Sequence, residues 1–218
     1  MTSQLNSEDI GRMMKATAAR IRAEQKQLSD LDSVAGDGDH GATMLRVVDC
    51  LERVFVVNPS TDLKQSFQKA GWDVMGADGG ASTSLLGVFF VGVSDGLPDP
   101  CKGIDCGALA QAFQSGLTAV QRQTKAQPGD KTMMDALAPA ISALNAAAQS
   151  GDDIIGALTK AADAARSGAE ATSNMIARYG RARLLGERTL GHQDAGATSV
   201  ALMFAGFAQG RDSREGDS

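Results

Sequence analysis

The 218-residue chain has a net charge of −5, and it is 43% hydrophobic but only 4% aromatic. The negative charge argues against binding to nucleic acid or to an anionic membrane. Few aromatic residues among many Ala, Leu, Val and Met favour packed helices over a β-sandwich. No apolar run reaches the ~20 residues of a transmembrane helix, and the N-terminus lacks the features of a signal peptide. With three cysteines at no metal-ligand spacing, we expect a cytoplasmic protein with free thiols.

Apolar residues recur three, four or seven positions apart along most of the chain, which is the spacing of amphipathic helices. The pattern predicts helices over 8–28, 41–57, 61–75, 109–120, 133–144, 153–175 and 197–209. The expected N-caps are Ser7, Thr61, Asp153 and either Asp130 or Thr132. Pro139 should kink its helix or interrupt its hydrogen-bond ladder. Residues 178–195 are polar and rich in Gly and Arg, and we expect a long ordered loop there.

One further segment, 85–93, is apolar on every side. Its periodicity fits a buried strand as well as a buried helix, and the helices predicted on both sides favour a helix. The sequence thus predicts an all-α protein of eight amphipathic helices without a linker between two cores. We expect one domain over residues 1–210 and a charged, disordered tail over residues 211–218.

Four polar, glycine-containing stretches interrupt the predicted helices, at residues 30–44, 76–84, 127–135 and 180–199. They follow the first, third, fifth and seventh helices of the prediction. In an up-and-down helical bundle, alternate loops lie at the same end. The sequence therefore predicts that these four stretches converge at one end of the bundle.

The first stretch places Asp32, Asp37 and Asp39 close together among three glycines. Carboxylates this close repel one another, and a hard dication such as Mg²⁺ or Ca²⁺ would offset the repulsion. The glycines allow backbone N–H groups to approach a ligand. A single Asp-Gly pair would indicate an acidic surface turn, but the whole pattern favours a metal–phosphate site. A 12-residue calcium loop would end in Glu, and Thr43 stands there instead.

The second and third stretches each lie at the start of a predicted helix. Residues 79–83 would present free N–H groups and the positive end of a helix dipole to an anion, although most glycine-serine turns are simply turns. Lys131 and Thr132 offer an ammonium and a hydroxyl. Taken alone, that pair indicates a capped helix with an exposed lysine.

The fourth stretch contains three arginines, Arg181, Arg183 and Arg188. A guanidinium pairs bidentately with phosphate oxygens, although structural ion pairs in a solvated loop remain an alternative for Arg183. The two histidines, His40 and His192, lie inside Gly/Asp motifs. We assign His40 to nucleotide contact, because phosphoryl transfer needs positioning and charge neutralisation more than a strong base. His192 is assigned either to the site or to ordering its loop.

With these motifs, the chain resembles the nucleotide-binding L subunit, or L domain, of dihydroxyacetone kinases. The matching segments lie between residues 31 and 199, in the family's order: Leu31-Asp32, 36–41, 79–82, 128–133, 186–188, 191–194 and 196–199. The resemblance implies a barrel of eight antiparallel amphipathic helices with the site in the loops at one end.

The resemblance also implies a ligand set. Asp32, Asp37 and Asp39 would bind two Mg²⁺ ions that bridge the phosphates of ADP or ATP, and Arg181 would add a positive contact. The nucleotide site would be lined by His40, Gly41, Ala42, Thr43, Ala81, Ser82, Thr124, Met133, Arg181, Asp194, Ala195 and Gly196. This sequence departs from the family at Thr43, often Asn, at Thr83-Ser84, often Gly-Pro, and at Thr124, where a relative has Gly.

The implied activity is phosphoryl transfer to dihydroxyacetone, or to a related ketose such as erythrulose, held by a separate K-type subunit. No residue separates a kinase that consumes ATP from a subunit whose bound ADP is rephosphorylated by a phosphotransferase-system protein. The alternative from another class is a non-catalytic Mg–nucleotide sensor that regulates a partner protein. No nucleic acid or membrane partner is expected.

Overall fold

The computed structural model describes residues 4–212, most of which are helical. The α-helices are α1 (Ser7–Ala23), α2 (Gln25–Ser33), α3 (His40–Glu52), α4 (Leu63–Met75), α5 (Gly80–Asp95), α6 (Cys106–Gln123), α7 (Met134–Gln149), α8 (Ile154–Ala171) and α9 (Ala195–Asp212). A π-helical turn at Arg53–Val57 continues α3, and 3₁₀ turns lie at Thr172–Asn174 and Arg181–Thr189. Across residues 4–212 the β-structure is one isolated bridge, between Leu5 and Ile104. The all-α prediction is confirmed.

Eight of these helices pack in a closed ring: each of α3 to α9 lies against the next, and α1 packs against both α9 and α3. Helix α2 lies outside the ring, beside α3. The arrangement is consistent with the expected eight-helix barrel. In the part of the chain that is described, no helix is long and apolar enough to cross a membrane.

A chain of aromatic side chains runs through the mainly aliphatic core. All seven phenylalanines of the sequence form one chain of ring contacts, with centroid distances of 5.0 to 6.3 Å. They are Phe55, Phe67, Phe89, Phe90, Phe113, Phe204 and Phe207. Edge-to-face contacts of this kind stabilise a core beyond the burial of area alone. Residues 85–93, predicted as a buried helix, lie within α5 and contribute two of these rings.

The first predicted helix is in fact two helices. The prediction of one helix over 8–28 was wrong because Glu24, with φ −101° and ψ 11°, leaves the α region and separates α1 from α2. The N-cap of α1 is Asn6 rather than Ser7. Asn6 and Asp9 exchange backbone-to-side-chain hydrogen bonds of 3.0 Å, which forms a capping box.

Two other predicted helix ends also differ. Asp62, not Thr61, caps α4, because its carboxylate accepts the N–H groups of Lys64 and Gln65. Helix α9 continues to Asp212, and Arg211 is buried, so the helix includes the first two residues of the expected tail. Residues 213–218 of that tail lie outside the described residues. Asp153 caps α8 as predicted.

Helix α7 runs through Pro139. Proline has no N–H, so the Asp135 carbonyl loses its helical donor. Gly168 of α8 packs against that carbonyl so closely that a Cβ at position 168 would overlap the oxygen. The helix continues past the proline. The neighbouring helix α8 covers the Asp135 carbonyl, which has lost its donor.

Candidate functional site

The four polar stretches converge on one cavity of about 710 Å³. Thirteen of the fifteen predicted nucleotide- and metal-site residues line it: Asp32, Asp37, Asp39, His40, Thr43, Ala81, Ser82, Thr124, Met133, Arg181, Asp194, Ala195 and Gly196. Gly41 and Ala42 do not line it. Gly41 packs α3 against α2, since a Cβ there would overlap the Gln25 carbonyl oxygen.

Three carboxylates form a cluster at this cavity. Asp32, Asp37 and Asp39 each present an oxygen, and these three oxygens lie within 4.8 Å of one another. Two oxygens on a single Mg²⁺ lie at most about 4.2 Å apart, because each Mg–O distance is about 2.1 Å. The 4.8 Å limit is slightly above that separation, so the carboxylates would need to close only a little to share a hard dication, and their all-oxygen donor set suits one.

The loop conformation explains how the cluster forms. The Asp32 carboxylate accepts the Gly38 N–H at 2.9 Å, and Gly38 has φ +76°, a conformation that favours glycine. At Gly36, a Cβ would lie 2.5 Å from Asp32 Oδ1. Both glycines are therefore needed for the chain to fold back over the Asp32 side chain.

Arg181 forms an ion pair with Asp37 at the mouth of the cavity. The hydrogen bond from Arg181 is the main reason that the pKa of Asp37 is lowered, with a further contribution from the backbone. The same pairing raises the pKa of Arg181. Both side chains are exposed, so the pair brings a positive charge to the edge of the carboxylate cluster without burying it.

His40 is buried below the cluster, at the start of α3. Its Nε2 lies 2.7 Å from Ser199 Oγ, and its Nδ1 lies 3.5 Å from Ser82 Oγ. Ser199 Oγ also donates to the Ala195 carbonyl, which favours the tautomer in which His40 Nε2–H donates to Ser199 Oγ and Nδ1 accepts from the Ser82 hydroxyl. Burial lowers the pKa of His40 and so favours the neutral ring.

Two helix N-termini open into the cavity. Helices α3 and α5 begin at its wall, and neither receives a side-chain cap from the described residues. Gly79 brings the two together, because a Cβ there would lie 2.5 Å from Thr43 Cγ2. Free N–H groups and the helix dipole make such ends favourable for an anion.

The start of α9, which also lies at the cavity, is capped. The Asp194 carboxylate accepts the Ala197 N–H at 2.7 Å, and the Asp194 N–H donates to Thr172 Oγ1 at 2.8 Å. Burial raises the pKa of Asp194 to about 6, and the negative charge of Asp135 adds to the effect while Lys131 opposes it.

The lysine of the third stretch differs from the prediction. Lys131 is only 6% exposed, so the expectation of an exposed lysine was wrong. Its backbone has φ +59°, which turns the side chain inward. A left-handed conformation is uncommon for a residue other than glycine and is often found at functional sites.

Part of the cavity lining is apolar, and sequence reasoning did not identify this apolar side. This lining comprises Val34, Ala35, Leu85, Tyr179 and Ala182. Ligand cavities combine such apolar surface with a few polar groups. The sequence offered one weak signal: Tyr179 is the only tyrosine, and it lies inside the polar stretch that was expected to be functional.

The fold and this cavity define the class of protein. Residues 34–209 match the DAK2 domain, and the chain belongs to that family. The resemblance to the L subunit or domain of dihydroxyacetone kinases is therefore confirmed.

Among its relatives is the ADP-binding subunit DhaL of PEP-dependent dihydroxyacetone kinase 1 from Listeria innocua. The two are 35% identical over 190 residues, covering 87% of this chain and 89% of the relative. The corresponding subunit from Escherichia coli K12 is 36% identical over 180 residues, covering 83% and 85%. The crystal structure of the C. freundii dihydroxyacetone kinase with AMP-PNP and Mg²⁺ aligns with a TM-score of 0.73 and 26% identity. It covers 96% of this chain, which corresponds to 35% of that longer chain.

Proposed function

We propose that this chain is a Mg–nucleotide-binding phosphotransferase subunit. Together with a separate K-type subunit, it transfers a phosphoryl group to the dihydroxyacetone, or related ketose, that the K-type subunit holds. The observation that carries the proposal is the cluster of three carboxylates whose oxygens lie within 4.8 Å, at a cavity that two uncapped helix N-termini also face. The names of the relatives, which are ADP-binding subunits of dihydroxyacetone kinases, support it.

Different residues of the cavity would bind the metal ions, the phosphates and the base of the nucleotide. Asp32, Asp37 and Asp39 would hold two Mg²⁺ ions, and these ions would neutralise the charge of the nucleotide phosphates. The N–H groups at the start of α5 and the guanidinium of Arg181 would bind phosphate oxygens. The apolar side with Tyr179 would take the base.

His40 orients rather than transfers protons in this proposal. Its ring is buried, and both nitrogens face hydroxyls. Nδ1 would order the Ser82 hydroxyl at the start of α5, next to the expected phosphates. Phosphoryl transfer depends mainly on such positioning and on charge stabilisation.

The test is calorimetric titration of ADP with and without Mg²⁺. Wild type should bind ADP much more tightly with the metal. Asp37→Asn should weaken Mg²⁺-dependent binding by roughly tenfold or more, because it removes a metal ligand, while far-UV circular dichroism stays unchanged. The control is Asp30→Asn, which alters an exposed carboxylate paired with Lys26. Equal ADP affinity with and without Mg²⁺ would refute the proposal, and lost helical signal in Asp37→Asn would make the cluster structural.

A second measurement separates the subtypes. Native mass spectrometry that finds ADP and two Mg²⁺ retained after desalting, and resistant to exchange with ATP, would favour the phosphotransferase-system type. Weak and freely exchanging nucleotide would favour an ATP-consuming kinase. Nucleotide binding without any transfer, in the presence of the K-type subunit and ketose, would instead identify a sensor.

A further inference from the structure

The Lys131 side chain connects backbone groups that are distant in the sequence. Its Nζ lies 2.7 Å from the Thr172 carbonyl oxygen, 2.8 Å from that of Thr189 and 2.5 Å from that of His192. An ammonium has three protons to donate, so all three are used. The three carbonyls lie at the two ends of residues 173–191, which we call the rim segment.

The rim segment has other attachments, among them the ion pairs of Arg178 with Asp130, at 3.3 Å, and of Arg181 with Asp37. Its ends are joined by the Gly191 N–H, which donates to the Ser173 carbonyl at 2.8 Å. The Arg178 N–H donates to the Asp130 carbonyl at 3.1 Å. The segment carries Arg181 and the exposed part of Tyr179, both of which line the cavity. The position of these two side chains therefore depends on how the segment is held.

The surroundings of Lys131 fix its direction. The Asp135 carboxylate accepts the N–H groups of Gly129 and Thr132, at 2.5 and 2.8 Å, and so shapes the turn that contains Lys131. Burial lowers the pKa of Lys131, and the negative charges of Asp194 and Asp135 oppose that shift. Because no proton of the ammonium is left over, Lys131 does not also donate to a ligand in this arrangement. Lys131 instead affects the cavity through the three backbone carbonyls that its ammonium holds.

We infer that Lys131 is a positioning residue whose ammonium holds the rim segment, and with it Arg181, against the cavity. The effect on nucleotide binding rests on the proposed function, whereas the effect on the rim segment itself does not. Removing the ammonium would leave three carbonyls without this donor, and buried polar groups without partners are unfavourable. The rim segment should then open locally while the helical ring stays intact.

Hydrogen–deuterium exchange tests the structural part without any ligand. Lys131→Met keeps the length of the side chain and removes the charge. Exchange in peptides from residues 173–191 should rise by about tenfold or more, with peptides from α7 unchanged. Lys125→Met, at an exposed position in the same connection, is the control. Unchanged exchange in the rim segment would overturn the inference.

If Lys131→Met does not fold, Lys131→Arg provides the same test. A planar guanidinium keeps the charge but cannot aim three N–H groups at one point, so exchange in the rim segment should again rise. A folded Lys131→Arg protein with wild-type exchange throughout would overturn the inference.

A double-mutant cycle tests the link to Arg181. We expect Arg181→Ala and Lys131→Met each to weaken Mg–ADP binding, by roughly tenfold. If Lys131 acts by holding Arg181, the double variant should be little weaker than Lys131→Met alone. If the double variant loses affinity by the product of the two single losses, Lys131 does not act through Arg181. Failure of wild type to bind Mg–ADP would refute the proposed function and leave the exchange result standing.

Discussion

Replacing Asp194 by Asn removes a charge from the wall of the cavity and leaves its hydrogen bonds largely intact. Asn is as good an N-cap as Asp, so its side-chain oxygen can still accept the Ala197 N–H that opens α9, 2.7 Å away in the wild-type protein. The substitution therefore isolates the effect of one partly buried carboxylate.

The sign of the effect follows from the pKa. Burial raises the pKa of Asp194 from 3.8 to about 6, while the unfolded chain keeps the ordinary value. Between these two pH values the folded state binds a proton that the unfolded state has lost. Stability therefore falls as the pH rises through this window. Below it both states are protonated, and above it both are ionised.

The size of the effect follows from the same two values. A rise of the pKa from 3.8 to about 6 corresponds to roughly 3 kcal/mol. The ionised carboxylate of Asp194 should thus lower the free energy of unfolding by up to that amount near neutral pH, and by almost nothing near pH 3.8.

Urea unfolding without nucleotide, at about pH 4 and about pH 7, checks this. We compare the free energy of unfolding of Asp194→Asn with that of wild type at each pH. The difference in favour of the variant should be larger at about pH 7 than at about pH 4, by up to roughly 3 kcal/mol. Asp163→Asn, which changes a carboxylate that is 62% exposed on α8, controls for the loss of one charge. An equal difference between Asp194→Asn and wild type at the two pH values would refute the reasoning.

Two further predictions concern the floor of the cavity. In Gly36→Ala, the new Cβ would displace the Asp32 carboxylate, 2.5 Å away, so Mg²⁺-dependent ADP affinity measured by calorimetry should fall roughly tenfold; unchanged affinity would contradict the proposed cluster. Because burial lowers the pKa of His40, its contribution to stability is present above pH 6.5 and is lost as the pH falls below it. The drop in melting temperature between about pH 7.5 and about pH 5 should therefore be smaller in His40→Gln than in wild type or in His192→Gln, and an equal drop in all three would contradict the prediction.

Local patterns were sufficient to predict most of the helices and the carboxylate cluster. The 3.6-residue period identified the helical faces, and Asp32, Asp37 and Asp39 are close enough in the sequence for a single loop to bring them together. The convergence of the four polar stretches followed from helix order alone, since alternate connections of a bundle share an end.

Features that depend on contacts between distant residues could not be predicted. The burial of Lys131 depends on carbonyls 41, 58 and 61 residues further along the chain, and no local pattern encodes that arrangement. The break at Glu24 was hidden because apolar spacing continues from α1 into α2. The apolar side of the cavity was missed because Val34 and Tyr179 lie in stretches that are otherwise polar.

Several unfavourable features of this protein are concentrated around one cavity. Three carboxylates lie together, the pKa of the partly buried Asp194 is raised, and α3 and α5 begin without side-chain caps. A cation would relieve the first of these, and an anion would satisfy the helix ends. Departures from favourable local structure tend to collect at functional sites. A ligand that contains both a dication and a phosphate would offset the carboxylate repulsion and satisfy the helix ends together. A Mg–nucleotide complex has that composition.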